Sequence, residues 1–326
     1  MPLANMAFMA YGRPGNTPNR QGAAMQNVRW QAIASANLEI AMDDTGEGPI
    51  FDRFFAGYDR AFILPNEKED KDGFRTCLAL NHGDAHTGLA REYGRFREIC
   101  LIARDPSDGS EIGGANFIAL EGTSTGHSVL TANLNYIYVA NAARGRGYFG
   151  RLVSAVCEAV KLVLPIDAEP LVFIELNDPL RMPAEDYARD TAFTGLDQID
   201  RIRIWAKQGA RVVDHPYVQP PLAPDGEPDD NLIYGLLSDV PAIDACILRD
   251  HLRQFFGISV LKGAPLRTSA SASGQIETLD AHCTSGARIA LLDPQRFLGR
   301  VRCRDDIGTV FPVWPESARA AIRQSA

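Results

Sequence analysis

Two stretches of the chain carry apolar residues at helical spacing. Phe51, Phe54, Phe55, Tyr58, Ala61 and Phe62 recur every three or four residues and stop before Pro65, predicting an amphipathic helix. Phe149, Leu152, Val153, Val156, Val160 and Val163 make a cleaner face, ended by Pro165. Strand patterns lie between and after them. Glu98–Arg104 and Glu111–Leu120 flank a turn of Pro, Ser, Asp and Gly, which is a hairpin signal. Gly113 and Gly114 inside the second strand mark a bulge or a close approach. Leu134–Val139 is the next strand, and Leu171–Leu176 is apolar apart from Glu175. Asp197–Gln208 reads as a helix, Gly209 suits its left-handed C-terminal position, and Asn231–Leu237 is a last strand. Trp30–Met42 fits a first strand or arm. Asn66–Asn81 fits a second helix whose early charges, Glu67 to Asp72, form a solvated face.

Hairpins mixed with helical crossovers give an α+β (mixed α/β) class. Residues 1–27 lack periodicity and read as a flexible tail, 28–238 as one domain, and 239–326 as a C-terminal helix plus a small irregular or β appendage. In that last part Pro241–Phe256 is helical, Ser269–Gly274 reads as a Ser/Ala/Gly linker, and Arg288–Trp314 as two or three short strands. Asp178–Gly195 is a long polar stretch of the kind that forms lids.

The chemistry concentrates between Val139 and the helix that follows. Arg144, Gly145, Arg146, Gly147, Tyr148, Phe149 and Gly150 form a glycine-arginine loop that opens a helix. Free N–H groups at a helix N-terminus, close backbone approach at glycine and two cations make a phosphate site. Gly145, Gly147 and Gly150 also spell the dinucleotide fingerprint, which leaves a nicotinamide-dependent oxidoreductase as a lesser alternative. Against it, five residues separate Val139 from Gly145, where that fold makes a tight turn.

The loop resembles the pyrophosphate loop of the GNAT superfamily of acyl-CoA acyltransferases, [Q/R]-x-x-G-x-[G/A], with Phe149 at the last position and the small residue moved to Gly150. Ile204–Val213 is similar to the family's closing helix and strand. The resemblance spans roughly Ile50 to Leu237. It implies a central mixed sheet flanked by helices. It also implies an acyl-CoA co-substrate, such as acetyl-CoA, and direct transfer of the acyl group to an amine in a ternary complex. The acceptor is then a small-molecule amine or a protein amine, and a homodimer is left open. By the same resemblance Tyr138 and Val139 main-chain groups hold the pantetheine arm, the Val139 N–H meets the thioester carbonyl, and 144–150 bind the pyrophosphate. The family's strand carboxylate falls on Asn133, which cannot act as a base, and its helix tyrosine falls on Trp205, which cannot titrate. Glu175 becomes the candidate base, since burial raises a carboxyl pKa, and Tyr187 the candidate acid. Asp178, Glu185 and Asp186 are candidates for acceptor recognition. Because both family residues are changed, a CoA-binding interaction module without strong catalysis is the second reading.

Composition narrows the picture only a little. The chain has 326 residues, 45% hydrophobic and 23% charged, which are globular values. A net charge of −8 argues against nucleic acid as the main partner. No apolar run is long enough for a membrane span. Six scattered cysteines without a C-x-x-C pair argue against a disulfide framework and for a reducing, cytoplasmic setting, and no metal site is expected. The six histidines fall in no motif.

Overall fold

The computed structural model describes residues 6–7, 28–62, 68–124, 126–179, 181–222 and 226–298. In chain order, β1 (Met6–Ala7), β2 (Gln31–Ile33) and β3 (Leu38–Asp43) precede three helices, α1 (Gly48–Ala61), α2 (Lys71–Ala79) and α3 (Gly83–Tyr93). Three long strands follow, β4 (Phe96–Arg104), β5 (Glu111–Ser124) and β6 (His127–Val139), and then α4 (Tyr148–Val163) and β7 (Leu171–Asn177). Next come α5 (Ala184–Thr194), α6 (Gln198–Lys207), β8 (Ala210–Val213) and β9 (Leu232–Leu237). The C-terminal part holds β10 (Ala242–Asp244), α7 (Ala245–Phe255), α8 (Ala270–Thr284), β11 (Arg288–Leu292) and α9 (Gln295–Leu298).

The strands form one mixed sheet in the order β10-β11-β8-β9-β7-β6-β5-β4-β3-β2. The boundary expected at 238 therefore falls between two strands of that sheet. A separate apolar core covers each face. On one side α4 and α6 bury Leu152, Val156, Ile202 and Trp205. On the other, α1, α7 and α8 bury Phe54, Tyr58, Leu252, Phe255 and Leu279. Each such side chain contributes roughly 1.5–3 kcal/mol on leaving water. The predicted faces of α1 and α4 are the ones buried, apart from Phe55, Phe149 and Val163, which are half-covered.

Two features of β6 position the site. Asn116 pairs with Tyr136 and Phe117 with Leu134, so Asn135 is an extra, bulged residue. The bulge swaps which residues face which core. Ala132 and Leu134 join Ile137 and Val139 on the α4 side, while Tyr136 and Tyr138 turn toward α1. At the same place β6 leaves β7. The two pair in parallel from Thr131–Leu171 to Leu134–Ile174. Beyond that, Glu175 to Asn177 pair with β9, and the end of β6 pairs with β5. From the expected N-terminal tail, β1 pairs in parallel with β6 at Ile137 and Tyr138. The expected close approach at Gly113 and Gly114 is present. A Cβ on Gly113 would stand 2.0 Å from the Tyr138 carbonyl oxygen, and one on Gly114 2.7 Å from that of Leu101.

Several local expectations need correction. The helix expected over Asn66–Asn81 begins only at Lys71, because the Asp70 carboxylate accepts the Gly73 N–H at 2.7 Å and caps it there; Asn66 and Glu67 lie outside the described residues. The first strand is a hairpin, β2 and β3. The polar stretch after β7 contains the helix α5. Ser269–Gly274 is no linker: Ser269 caps α8, which runs straight through the Ser/Ala/Gly stretch. Alanine propensity and packing outweigh the flexible composition. Of the strands expected over Arg288–Trp314, β11 is formed, and residues 299–326 lie outside the described set. Most consequentially, Cys246 and Cys283 form a disulfide between the first turn of α7 and the last turn of α8, against the expectation of unpaired thiols. Their spacing of 37 residues hides a contact that only the pairing of two helices creates. No helix among the described residues is long and apolar enough to cross a membrane.

Candidate active site

The glycine-arginine loop is built from contiguous chain. After β6, Asn141–Ala143 make one 3-10 turn, Arg144 is extended, and Gly145 and Gly147 take positive φ of 69° and 76°. That left-handed pair turns the chain into α4, whose N-terminus has no side-chain cap among the described residues. Free N–H groups and the positive end of the dipole at such a helix start are the arrangement an anion requires. Gly145, Arg146 and Gly147 are exposed. Arg146 lies over the Tyr148 ring at 5.1 Å, and Arg151 lies over the same ring at 4.6 Å. The Tyr148 hydroxyl donates to Asp105, whose carboxyl is held far below its usual range by Ser107 and then by Tyr148. Arg144 is half-buried, and its Nε reaches the Val139 carbonyl at 3.4 Å. Burial, and then the nearby Arg201 charge, lower its pKa to about 10, so it stays a cation at neutral pH.

The last two loop residues serve packing. Phe149 meets Trp205 edge-on at 4.9 Å, joining α4 to α6. A Cβ on Gly150 would lie 2.7 Å from Gln208 Oε1, the end of a side chain that would have to swing aside. Trp205 is 1% exposed, a core residue. Tyr138 is buried, and its hydroxyl donates to the Phe54 carbonyl at 3.2 Å. Val139 is buried at the end of β6.

The other face of β6 holds a buried polar seam that the sequence reading did not identify. Its centre is Glu98 on β4. Asn116 Nδ2 donates to Glu98 Oε1 at 2.7 Å, Asn135 Nδ2 donates to the same oxygen at 3.0 Å, and Ser259 Oγ donates to Oε2 at 2.5 Å. A chain of donors leads to it. Asn133 Nδ2 donates to Asn135 Oδ1 at 2.9 Å, and Tyr234 donates to Asn133 Oδ1 at 2.8 Å. His251 Nε2 lies 2.8 Å from the Tyr234 hydroxyl, and its Nδ1 lies 2.9 Å from Thr131 Oγ1. Tyr234 has spent its proton on Asn133, so His251 donates from Nε2 and accepts from Thr131 at Nδ1. Burial pushes the His251 pKa down to about 3, which keeps the imidazole neutral as this chain needs. This chain of donors ends on Glu98. Burial raises the pKa of that carboxyl, and the three donors oppose the shift.

Glu175 is the first residue of β7 beyond its last pair with β6, and it is fully buried. Burial raises its pKa to about 8, while Tyr217 and Asn133 favour the ionised form. The Tyr217 hydroxyl donates to Glu175 Oε1, and Oε2 has no hydrogen-bond partner among the described residues. Tyr187 lies on α5, and its hydroxyl donates to Asp197 at 2.7 Å; Asp197 also caps α6 by accepting the Ile199 N–H at 2.8 Å. Asp186 pairs with Arg189 one turn along α5, Glu185 sits in the first turn, and the Asp178 N–H bonds the Asn231 carbonyl at 2.7 Å. The structure thus joins Glu175 to Tyr217 and ties Tyr187 to the helix cap. Glu98 carries the same signal that marked Glu175, a carboxylate in an apolar strand. Tyr217, Gln219 and His251 carry none, because their partners lie far off in sequence.

Among the described residues no group of three or more His, Cys, Asp or Glu side chains is arranged to hold a metal ion. His82 and His86, four apart in sequence, point to different neighbours: the Asp44 carbonyl at 2.9 Å and the Phe96 ring at 4.9 Å. No protein-family model matches the chain, and a search of curated proteins finds no match.

Proposed function

We propose that the chain is an acyl-CoA-dependent N-acyltransferase of the GNAT type. The observation that carries this reading is the parting of β6 from β7 directly before an uncapped helix N-terminus fronted by two arginines. A pyrophosphate needs the N–H cradle of 144–150. An extended arm with amide groups needs an open main-chain edge, and β6 offers one at Tyr138 and Val139 once β7 has turned away. Its present occupant there, β1, pairs at Ile137 and Tyr138 and would have to give way to the arm. Glu175 stands at the parting with a pKa of about 8, suited to taking a proton from an ammonium at slightly alkaline pH. The amine then attacks the thioester directly, with the Val139 N–H assigned by resemblance to the developing oxyanion.

A second reading, a CoA-binding module without turnover, is favoured by Trp205, which sits in the core where the family carries a titrating tyrosine. The dinucleotide reading is disfavoured by the 3-10 turn Asn141–Ala143, which separates β6 from Gly145.

Thermal denaturation with acetyl-CoA, CoA, NAD or no ligand tests the proposal. Ligand at a hundred times its dissociation constant stabilises by about 2.7 kcal/mol, a shift of a few degrees. The CoA species alone should produce it, and Arg144→Ala with Arg146→Ala should reduce it. A shift with NAD only, or none with CoA, overturns the assignment. Turnover with a panel of amines separates the enzyme from the module.

A further inference from the structure

The surroundings of Glu175 contain a proton count that packing does not explain. Tyr217 and Gln219 lie between β8 and β9, and both are buried. The Tyr217 hydroxyl is within bonding reach of two acceptor oxygens, Glu175 Oε1 and Gln219 Oε1, the latter at 2.5 Å. A hydroxyl has one proton and donates once. The three groups balance when Glu175 is a carboxylic acid: Glu175 donates to the Tyr217 oxygen, and Tyr217 donates to Gln219 Oε1. When Glu175 is ionised, Tyr217 turns its proton to the carboxylate. Gln219 then balances by flipping its amide to present Nε2 to the Tyr217 oxygen. With the amide oxygen facing Tyr217, as here, Gln219 Nε2 has no partner among the described residues, and neither does Glu175 Oε2.

We infer that Tyr217 and Gln219 are positioning residues that hold Glu175 Oε1 and leave Oε2 as the atom that exchanges a proton at the parting of β6 and β7. The unit has two proton arrangements, distinguished by the orientation of the Gln219 amide. Its use in acyl transfer rests on the proposed function; its existence does not. In that use, one N–H bond of the acceptor ammonium breaks, its electron pair stays on nitrogen, and the proton bonds to Oε2. A half-turn of the acid carboxyl then brings the protonated oxygen against the Tyr217 oxygen, and Tyr217 turns its own proton to Gln219 Oε1, which gives the arrangement with the Gln219 oxygen toward Tyr217. Among the described residues the groups facing Glu175 are few. Tyr217 and Asp229 come from the β8–β9 segment, Asn133 and Tyr136 from β6, and Tyr234 from β9 with neutral His251 of α7 behind it. Asp229 is the anion among them, and it favours the protonated form.

Infrared difference spectroscopy of the full chain from pH 5 to 10, with Glu175→Gln subtracted, reads the carboxylic acid of Glu175 without any substrate. We expect an acid carbonyl band that disappears with a midpoint near the raised value of about 8. Tyr217→Phe removes the donor to the carboxylate and should move that midpoint up by about one unit. Gln219→Leu removes the competing acceptor for the Tyr217 proton and should move it down. A purely structural role would lower thermal stability and leave the midpoint in place. No acid band at pH 6, no shift in either variant, or shifts of the same sign would overturn the inference. Should Tyr217→Phe not fold, Gln219→Leu alone decides through the sign of its shift. A failure of CoA to bind would sink the proposed function and leave this titration unchanged.

Discussion

The loop at 144–150 and the seam from Glu98 to Gln219 flank the same strand, and both are rich in polar groups, yet they are built on opposite terms. The loop keeps its polar groups in water. Gly145, Arg146 and Gly147 are exposed, and the loop's conformation depends on two left-handed glycines. The seam takes its polar groups out of water and must satisfy each one internally. It does so with a directed chain of donors ending on Glu98. A loop of the first kind is free to bind. A seam of the second kind is committed, and the atoms it leaves over, Glu175 Oε2 and Gln219 Nε2, become informative for that reason.

The comparison is most exposed at Glu98. Glu98→Ala would strip the acceptor from Asn116, Asn135 and Ser259 together. The expected loss is about 3–5 kcal/mol, the range for breaking one partner out of a buried charged network. The urea midpoint measures it. A loss below about 1 kcal/mol, typical of an exposed site, would put seam and loop on the same footing.

Glu175→Gln sharpens the contrast through pH. The folded pKa of about 8 lies above the ordinary 4.5. Between those values the native state holds a proton that the unfolded chain has released, so stability falls as pH rises toward 8 and levels off beyond it. The amide removes this dependence. The variant should match the parent near pH 5 and exceed it at pH 9 by on the order of 2 kcal/mol. An unchanged pH slope in chemical denaturation would remove Glu175 from the buried acids.

The smallest effect belongs to the loop. Gly147→Ala places a Cβ in the left-handed region, at φ 76°, with no atom within 4 Å to clash. The cost is about 1 kcal/mol of backbone strain. Calorimetry should show that modest loss, and the Glu175 titration should not move. A shift of that titration would show that loop and seam are coupled.

How much of this was legible in the sequence follows the same division. The faces of α1 and α4, the β4–β5 hairpin, the close approach at Gly113 and Gly114 and the loop all rest on neighbours within a few residues. Period, turn chemistry and glycine placement express such contacts directly. The C-terminal part was misread where composition and tertiary packing disagree. Ser269–Gly274 looked like a linker and is helix, because α8 packs on α7 and bonds to it through Cys246 and Cys283.

The sequence alone therefore settled the element types around β6 and the glycine turn that leads into α4, since both depend on local backbone geometry. It also drew attention to Glu175, whose polarity contradicts its strand. Only the tertiary structure decided what that carboxylate faces. The bulge at Asn135 and the parting of β6 from β7 are set by strand pairing, and the meetings of Glu175 with Tyr217 and of Glu98 with Ser259 join residues 42 and 161 positions apart. A proton's energy inside a protein is set by which groups surround it in space, and a spacing pattern along the chain does not record that.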